Sequence, residues 1–511
     1  MSKKYVLGID GGTGGMRVGL YDLDGIEVAY HATEYVTYHE HSGWAEQKPA
    51  DWWNCLANST HEVLKKSGVD KEDIVALSYD VTACSVMLCM KDGTPLRDCV
   101  IWMDIRAAEE AKMIQECGHP ILKFNGYGNV SAEWMACKAL WLKKNEPENY
   151  NKADLVCEYA DWLTYKLTGK WTRNLSNMAA RWYYDAPNGG FPVDFYELIG
   201  LGDVLDKFPQ ETHYLGDNLG TLTAEAAEFL GLSEKTIVGQ GGVDAYIGCF
   251  GLGVTKPGKV ALITGSSHLA MGLTDEYKYG KTGTFGPFPD AIIKDLGLIE
   301  GGQVSSGSIV AWFKRNFCKD LEAEEGGAYG WLNREAAKLE PGADGLVVLD
   351  WWQGNRTPYT DPNIRGNIYG LSLGHTQAHL FRAIMEGVAF GTENVLDSYR
   401  KAGIDVTEVC MGGGTTNSEL FMQIHADISN VIVNVPENPQ SCTLGSAILA
   451  VVAAGLYKDF DEAVEHMVRY TKRIDPIPEN VEKYKKIFAQ YQKAYDKFGD
   501  WMRETTAISK K

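Results

Sequence analysis

An apolar, strand-like run that stops abruptly at a loop of small polar residues occurs twice in this chain, and that repeat limits its architecture. Residues 5–9 end in Asp10-Gly11-Gly12-Thr13, and about 250 residues later residues 259–264 end in Gly265-Ser266-Ser267. A repeat at that distance predicts two similar α/β domains, in keeping with a length of 511 residues, too long for one ordinary core. No Pro- or Ser-rich linker separates the halves. The boundary is therefore placed at a hinge near residues 251–256, giving domains over 1–253 and 254–511.

Glycine carries the same message. Of the 55 glycines, thirteen fall in four tight clusters, at residues 8–15, 239–242, 301–302 and 412–414. Clustered glycine between apolar strands leaves backbone bare and tightly turned, which lets amide N–H groups approach phosphate oxygens. After the first cluster, residues 17–21 and 26–31 read as strands around a turn at Asp24-Gly25. Helical periodicity covers residues 52–66, with Asp51 as the expected N-cap. It returns at 105–117, 132–144, 159–167, 377–403, 418–429 and 481–498. Residues 74–78 and 86–90 read as buried strands.

Three segments could carry chemistry. Asp10-Gly11-Gly12-Thr13-Gly14-Gly15 offers a carboxylate for a magnesium-water contact and N–H donors for phosphate. By itself it reads equally as a hairpin turn with a structural Asp. No Lys-Ser or Lys-Thr follows, so it is not a P-loop, and the GxGxxG spacing of a dinucleotide site is missing. Gly241-Gly242-Val243-Asp244-Ala245 sets a carboxylate between glycines and an apolar helix, either as an N-cap or as a general base for an attacking alcohol. Gly412-Gly413-Gly414-Thr415-Thr416-Asn417 could pack against a planar base, touch phosphate, or simply turn.

Composition removes other classes. The formal net charge is −19, and the adjacent lysine pairs lie in amphipathic helices beside acids, which argues against nucleic acid as a partner. The apolar run at 448–454 is far shorter than the roughly 20 residues a membrane-spanning helix needs. Eleven scattered cysteines form no CxxC pair and no Cys/His cluster at zinc spacing, so a reducing cytoplasm is expected. The oligomeric state is left open, a homodimer included.

The order of several segments is more specific than their composition. Gly366-Asn367-Ile368-Tyr369-Gly370-Leu371 precedes His379-Leu380-Phe381-Arg382-Ala383-Ile384-Met385-Glu386 by seven residues. Lys138-Ala139-Leu140-Trp141-Leu142, Gly43-Trp44-Ala45-Glu46-Gln47 and Trp102-Met103-Asp104-Ile105-Arg106-Ala107 lie upstream. In this arrangement the chain resembles the FGGY carbohydrate kinases over residues 5–457, with Ala139 where a larger apolar residue is usual. The resemblance implies an α/β fold of two actin-like (ribonuclease H-like) domains with ATP and Mg2+ in an interdomain cleft, and a small sugar as co-substrate. It implies Asp244 as catalytic base and Asp10 as the magnesium-associated carboxylate. Gly11, Gly12 and Thr13, opposed by Thr264, Gly265 and Ser266, would face the phosphates, and Gly413, Gly414 and Asn417 the adenosine. Segments 81–84, 299–303 and 349–356 resemble the ribulokinase branch, which implies a ketopentose met by Ala83, Glu300 and Asp244. Arg181 falls where that branch has a lysine, keeping its charge but not its shape. Xylulose, glycerol or a tetritol are the alternative acceptors. An actin-like ATP-switched binding protein is the alternative outside enzymes.

Overall fold

The computed structural model describes residues 3–127, 130–281 and 283–509. The chain divides into two units, each assembled from separated stretches. The first takes Met1–Thr255, Gly286–Leu298 and Gln440–Arg469, the second Lys256–Phe285, Ile299–Pro439 and Tyr470–Lys511. A single boundary at 253/254 does not describe this arrangement. The helix Ser441–Ala453, far along the chain, packs on the sheet of the first unit.

The first unit is built on a seven-stranded sheet. Its order is Asn218–Thr221, Ile237–Gly239, Ile74–Val81, Tyr5–Gly12, Gly15–Asp22 and Glu27–Glu34, with Gly242–Val243 also pairing with Ile74–Val81. Tyr5–Gly12 runs parallel to Ile74–Val81, and the first three strands of the chain form an antiparallel meander. Alternation along Tyr5–Gly12 assigns its two faces. Leu7 and Ile9 join Trp52, Leu56 and Val63 of the helix Pro49–Ser67 in one core. On the other face lies Gly8, against which the late helix is pressed. A Cβ at Gly8 would stand 1.8 Å from the Thr443 carbonyl oxygen. Asp10 shares that face with Gly8.

The expected helix 52–66 begins earlier. Lys48 takes the N-cap position and Pro49 the first helical one, which its fixed φ favours, so Asp51 lies in the first turn instead of capping it.

In the second unit, Gly258–Thr264 runs antiparallel to His268–Thr274 and parallel to Val406–Gly413, which continues through Ile432–Pro436 to Tyr470–Ile474. The helices Gln377–Lys401, Glu419–Ser429 and Pro478–Ser509 supply its core with Phe381, Ile384, Phe421, Tyr484 and Tyr491. Among the described residues, no helix is long and apolar enough to cross a membrane.

Candidate active site

Three carboxylates of the first unit gather where its parallel strands end, the place where open α/β sheets bind ligands. Asp10 and Asp80 are register partners, and Gly242 pairs with Asp80 from the other side. Asp244 follows two residues later as the first residue of the helix Asp244–Gly251. The N-cap position falls to Val243, and Asp244 Oδ1 accepts a hydrogen bond from the Ala245 amide at 2.7 Å. Gly241 makes this turn possible, because a Cβ there would lie 1.8 Å from the Tyr79 carbonyl oxygen.

One cation answers these three acids: Arg17 Nη1 donates to Asp10 Oδ2 at 2.9 Å. Burial raises the Asp10 carboxyl in spite of that partner. Asp80, fully buried, is raised well above the usual carboxylate range by burial and by the charges of Asp10 and Asp244. Burial, helped by the Asp10 charge, pushes Asp244 up to about 7.

Gly11 and Gly12 lie on the end of the strand rather than in a loop, and the turn itself is Thr13-Gly14. A Cβ at Gly12 would stand 2.6 Å from Arg17 Nη1. Three side chains hold the segment. Tyr35 donates its hydroxyl to the Gly12 carbonyl, Gln47 Nε2 donates to the Thr13 carbonyl at 2.8 Å, and Trp102 Nε1 donates to Thr13 Oγ1 at 2.8 Å. The segments 43–47 and 102–107 therefore brace this turn. The Arg106 guanidinium lies 3.6 Å from the Trp44 ring and 5.0 Å from that of Trp141, two rings set edge to face, and bonds Asp104 at 2.7 Å.

Ala83 sits on a strained turn. Its neighbour Cys84 adopts φ 57°, left-handed backbone that a non-glycine residue rarely takes. Two buried charges hold the Cys84 peptide from both sides: Glu158 Oε2 accepts its N–H at 2.7 Å, and Lys138 Nζ donates to its carbonyl at 2.7 Å. Glu158 also accepts from Trp182 and Asn177, and Lys138 also donates to the Ile101 carbonyl. Arg181 ends the helix Leu175–Arg181 with its guanidinium 5.3 Å from the Trp134 ring and 6.0 Å from that of Tyr246, and its charge is felt at the Cys84 thiol. Arg181 thus lies near the turn of Ala83 and Cys84 and reaches Tyr246, two residues beyond Asp244.

The second unit repeats the strand-end arrangement without the acids. Thr264 and Gly413 are register partners, and Thr264 Oγ1 donates to the Gly412 carbonyl at 2.7 Å. Beyond them opens a cavity of about 420 Å3, lined by Gly265, Ser266, Gly414, Thr415, Asn417 and the apolar Phe381 and Phe421, among others. Glu300 is buried in this unit and accepts from Arg356 Nη2 at 2.7 Å.

Other large side chains near these segments serve packing. Trp52 stacks on Tyr159, and Trp351 lies buried against Tyr491. The segment 379–386 is mostly structural: Arg382 bonds Glu386 at 2.8 Å and the Tyr484 hydroxyl at 3.1 Å, docking the last helix. Asp80, Glu158 and Trp102 were not read as site residues in the sequence.

Strand ends carrying glycine and hydroxyl loops in both units, with a carboxylate heading a helix beside one of them, define an α/β phosphate-handling enzyme. The chain belongs to the FGGY family of carbohydrate kinases. The family's N-terminal domain matches residues 5–251 and its C-terminal domain residues 260–454. It is accordingly a sugar phosphotransferase that uses ATP. The ribulokinase of Anoxybacillus flavithermus is 33% identical over 98% of this chain and 95% of that protein. The xylulose kinase of Bacillus subtilis is 30% identical over 96% of this chain and 97% of its own. In structure, the xylulose kinase from Rhodospirillum rubrum matches with a TM-score of 0.84 and 26% identity, covering 98% of this chain and 100% of that one. Plasmodium falciparum glycerol kinase with ADP matches in fold, with a TM-score of 0.86, 21% identity, and coverage of 97% and 98%.

Proposed function

We propose that this chain transfers the γ-phosphate of ATP to a terminal hydroxyl of a ketopentose, as a ribulokinase does, with Asp244 as the base. The observation that carries the role is the half-buried Asp244 carboxyl at the strand-end cluster, raised to about 7, where a carboxylate is a competent proton acceptor near neutrality. Asp244 accepts the hydroxyl proton as the sugar oxygen bonds to the γ-phosphorus. The bond to the bridging oxygen breaks, and ADP leaves with that electron pair.

The backbone of Gly11, Gly12 and Thr13 meets the transferring phosphoryl group, and that of Thr264, Gly265 and Ser266 meets the phosphates that remain. Gly413, Gly414 and Asn417 hold the adenosine. The first-unit residues meeting the sugar are Ala83 and Arg181 beside Asp244, and the resemblance gives Glu300 the same part. The donor set fits a magnesium ion, since among the described residues three acids crowd around the one guanidinium of Arg17 and the carboxyls of Asp10 and Asp80 are pressed together. Asp10 would hold it, and the ion would supply positive charge to the phosphate oxygens. The cytoplasm suits eleven scattered cysteines that form no CxxC pair.

ADP release measured with ribulose, xylulose, glycerol and a tetritol tests the reading. The highest kcat/KM is expected for ribulose. A higher value for xylulose or a polyol would replace the acceptor, and no stimulation by any of them would overturn the kinase reading.

A further inference from the structure

We propose that Asp10, Asp80 and Cys442 form a binding site for a thiophilic divalent cation, Zn2+ or Cd2+, which fills without nucleotide. One carboxylate oxygen from each aspartate and Cys442 Sγ lie within 4.8 Å of one another. Bonds of about 2.0–2.3 Å to one ion require only a modest inward movement from such spacing.

The fold builds this cluster from two directions. Register places Asp10 beside Asp80 on adjacent parallel strands. The helix Ser441–Ala453 crosses the same sheet face and brings Cys442 and Ser446, four residues apart and so on one side of the helix. Ser446 Oγ donates to Asp80 Oδ2 at 2.8 Å, orienting the carboxylate as an outer partner orients a metal ligand. Asp80 Oδ1 is buried without a donor from outside the pair, and the Asp80 carboxyl bonds that of Asp10, so an ion would take the place of the proton held between them.

Charge and ligand type then select the occupant. Among the described residues Asp10, Asp80 and Asp244 crowd around the one guanidinium of Arg17, and a divalent cation would relieve the repulsion between the acids. Magnesium takes oxygen ligands and keeps its waters, whereas a sulfur ligand favours zinc or cadmium. Binding exchanges the thiol proton of Cys442 for a bond from sulfur to the metal, the proton leaves to solvent, and no electrons are transferred. Since Asp10 is the carboxylate assigned above to magnesium, the bound soft ion would inhibit phosphoryl transfer. That consequence rests on the proposed role of Asp10; the binding does not.

The test titrates the reduced, nucleotide-free full chain with Cd2+ and follows the thiolate-to-cadmium charge-transfer band in the ultraviolet. A saturable band is expected. It should vanish in Cys442→Ser, persist in Cys55→Ser at another partly accessible thiol, and require about 10–100-fold more Cd2+ in Ser446→Ala. No band in the unmodified chain, or an undiminished one in Cys442→Ser with unchanged affinity in Ser446→Ala, would overturn the site. Saturable binding without loss of magnesium-supported turnover would instead overturn the role of Asp10 and leave the site standing.

Discussion

Asp10 and Asp80 stand side by side as register partners on parallel strands, and Arg17 bonds only the first of them. Both carboxyls are raised, first by burial and then, at Asp80, by the charges of Asp10 and Asp244. A carboxyl raised in the folded state binds protons that the unfolded chain has already released. Its contribution therefore falls as pH rises through the window above about 3.9, the ordinary Asp value. Asp80→Asn should raise Tm in cation-free buffer, and by more at about pH 8 than at about pH 5. Thermal unfolding of both proteins at the two pH values checks this, and an equal or reversed difference counts against it.

Asp244→Asn should lower sugar-dependent kcat by about 10²–10⁴-fold while leaving ATP affinity nearly unchanged. Because the base must be ionised, kcat/KM for the sugar should rise with pH through a limb near 7 and level off above it. Steady-state rates across pH for the unmodified enzyme test the limb. Near-normal turnover of a folded Asp244→Asn protein would remove the residue from the mechanism.

Glu158 and Lys138 hold the Cys84 peptide, and with it the turn that carries Ala83. Lys138→Met leaves the carbonyls of Cys84 and Ile101 without their donor, at a cost of about 1–3 kcal/mol for each buried group. The milder Glu158→Gln should raise KM for the sugar more than KM for ATP, since the turn rather than the glycine loops is loosened. Parallel KM measurements decide, and equal changes in both would reduce the pair to a general support of the fold.

Gly413 has φ 105°, and a Cβ there would lie 1.9 Å from the Thr264 carbonyl oxygen. Gly413→Ala should therefore displace the strand ends bordering the cavity and weaken nucleotide binding by about tenfold or more. Calorimetric titration with an unreactive ATP analogue measures this. Gly414→Ala is the useful comparison, because nothing lies within 4 Å of its added Cβ.

Much of the site was legible because glycine marks it. Asp10 and Asp244 stood out as acids among bare backbone, and the structure sets both at strand ends. Asp80 did not stand out: it lies near the end of an otherwise buried strand, and its meaning comes from a partner 70 residues away, which local pattern does not encode. Lys138 was visible only as part of the segment 138–142 that carries the family resemblance. Nothing in its helical surroundings announces that its ammonium group ends on the carbonyl of Cys84. The return of residues 440–469 to the first unit is equally silent, because an apolar helix reads the same wherever it packs.

That return has a consequence for biosynthesis. Domains usually fold as they leave the ribosome, N-terminus first. Here the face carrying Gly8 and Asp10 is closed by Ser441–Ala453, a helix made more than 400 residues after the strand it covers. The first unit thus waits through that long stretch of synthesis with one wall missing, so termination before that helix yields a sticky, unfinished domain rather than a functional half.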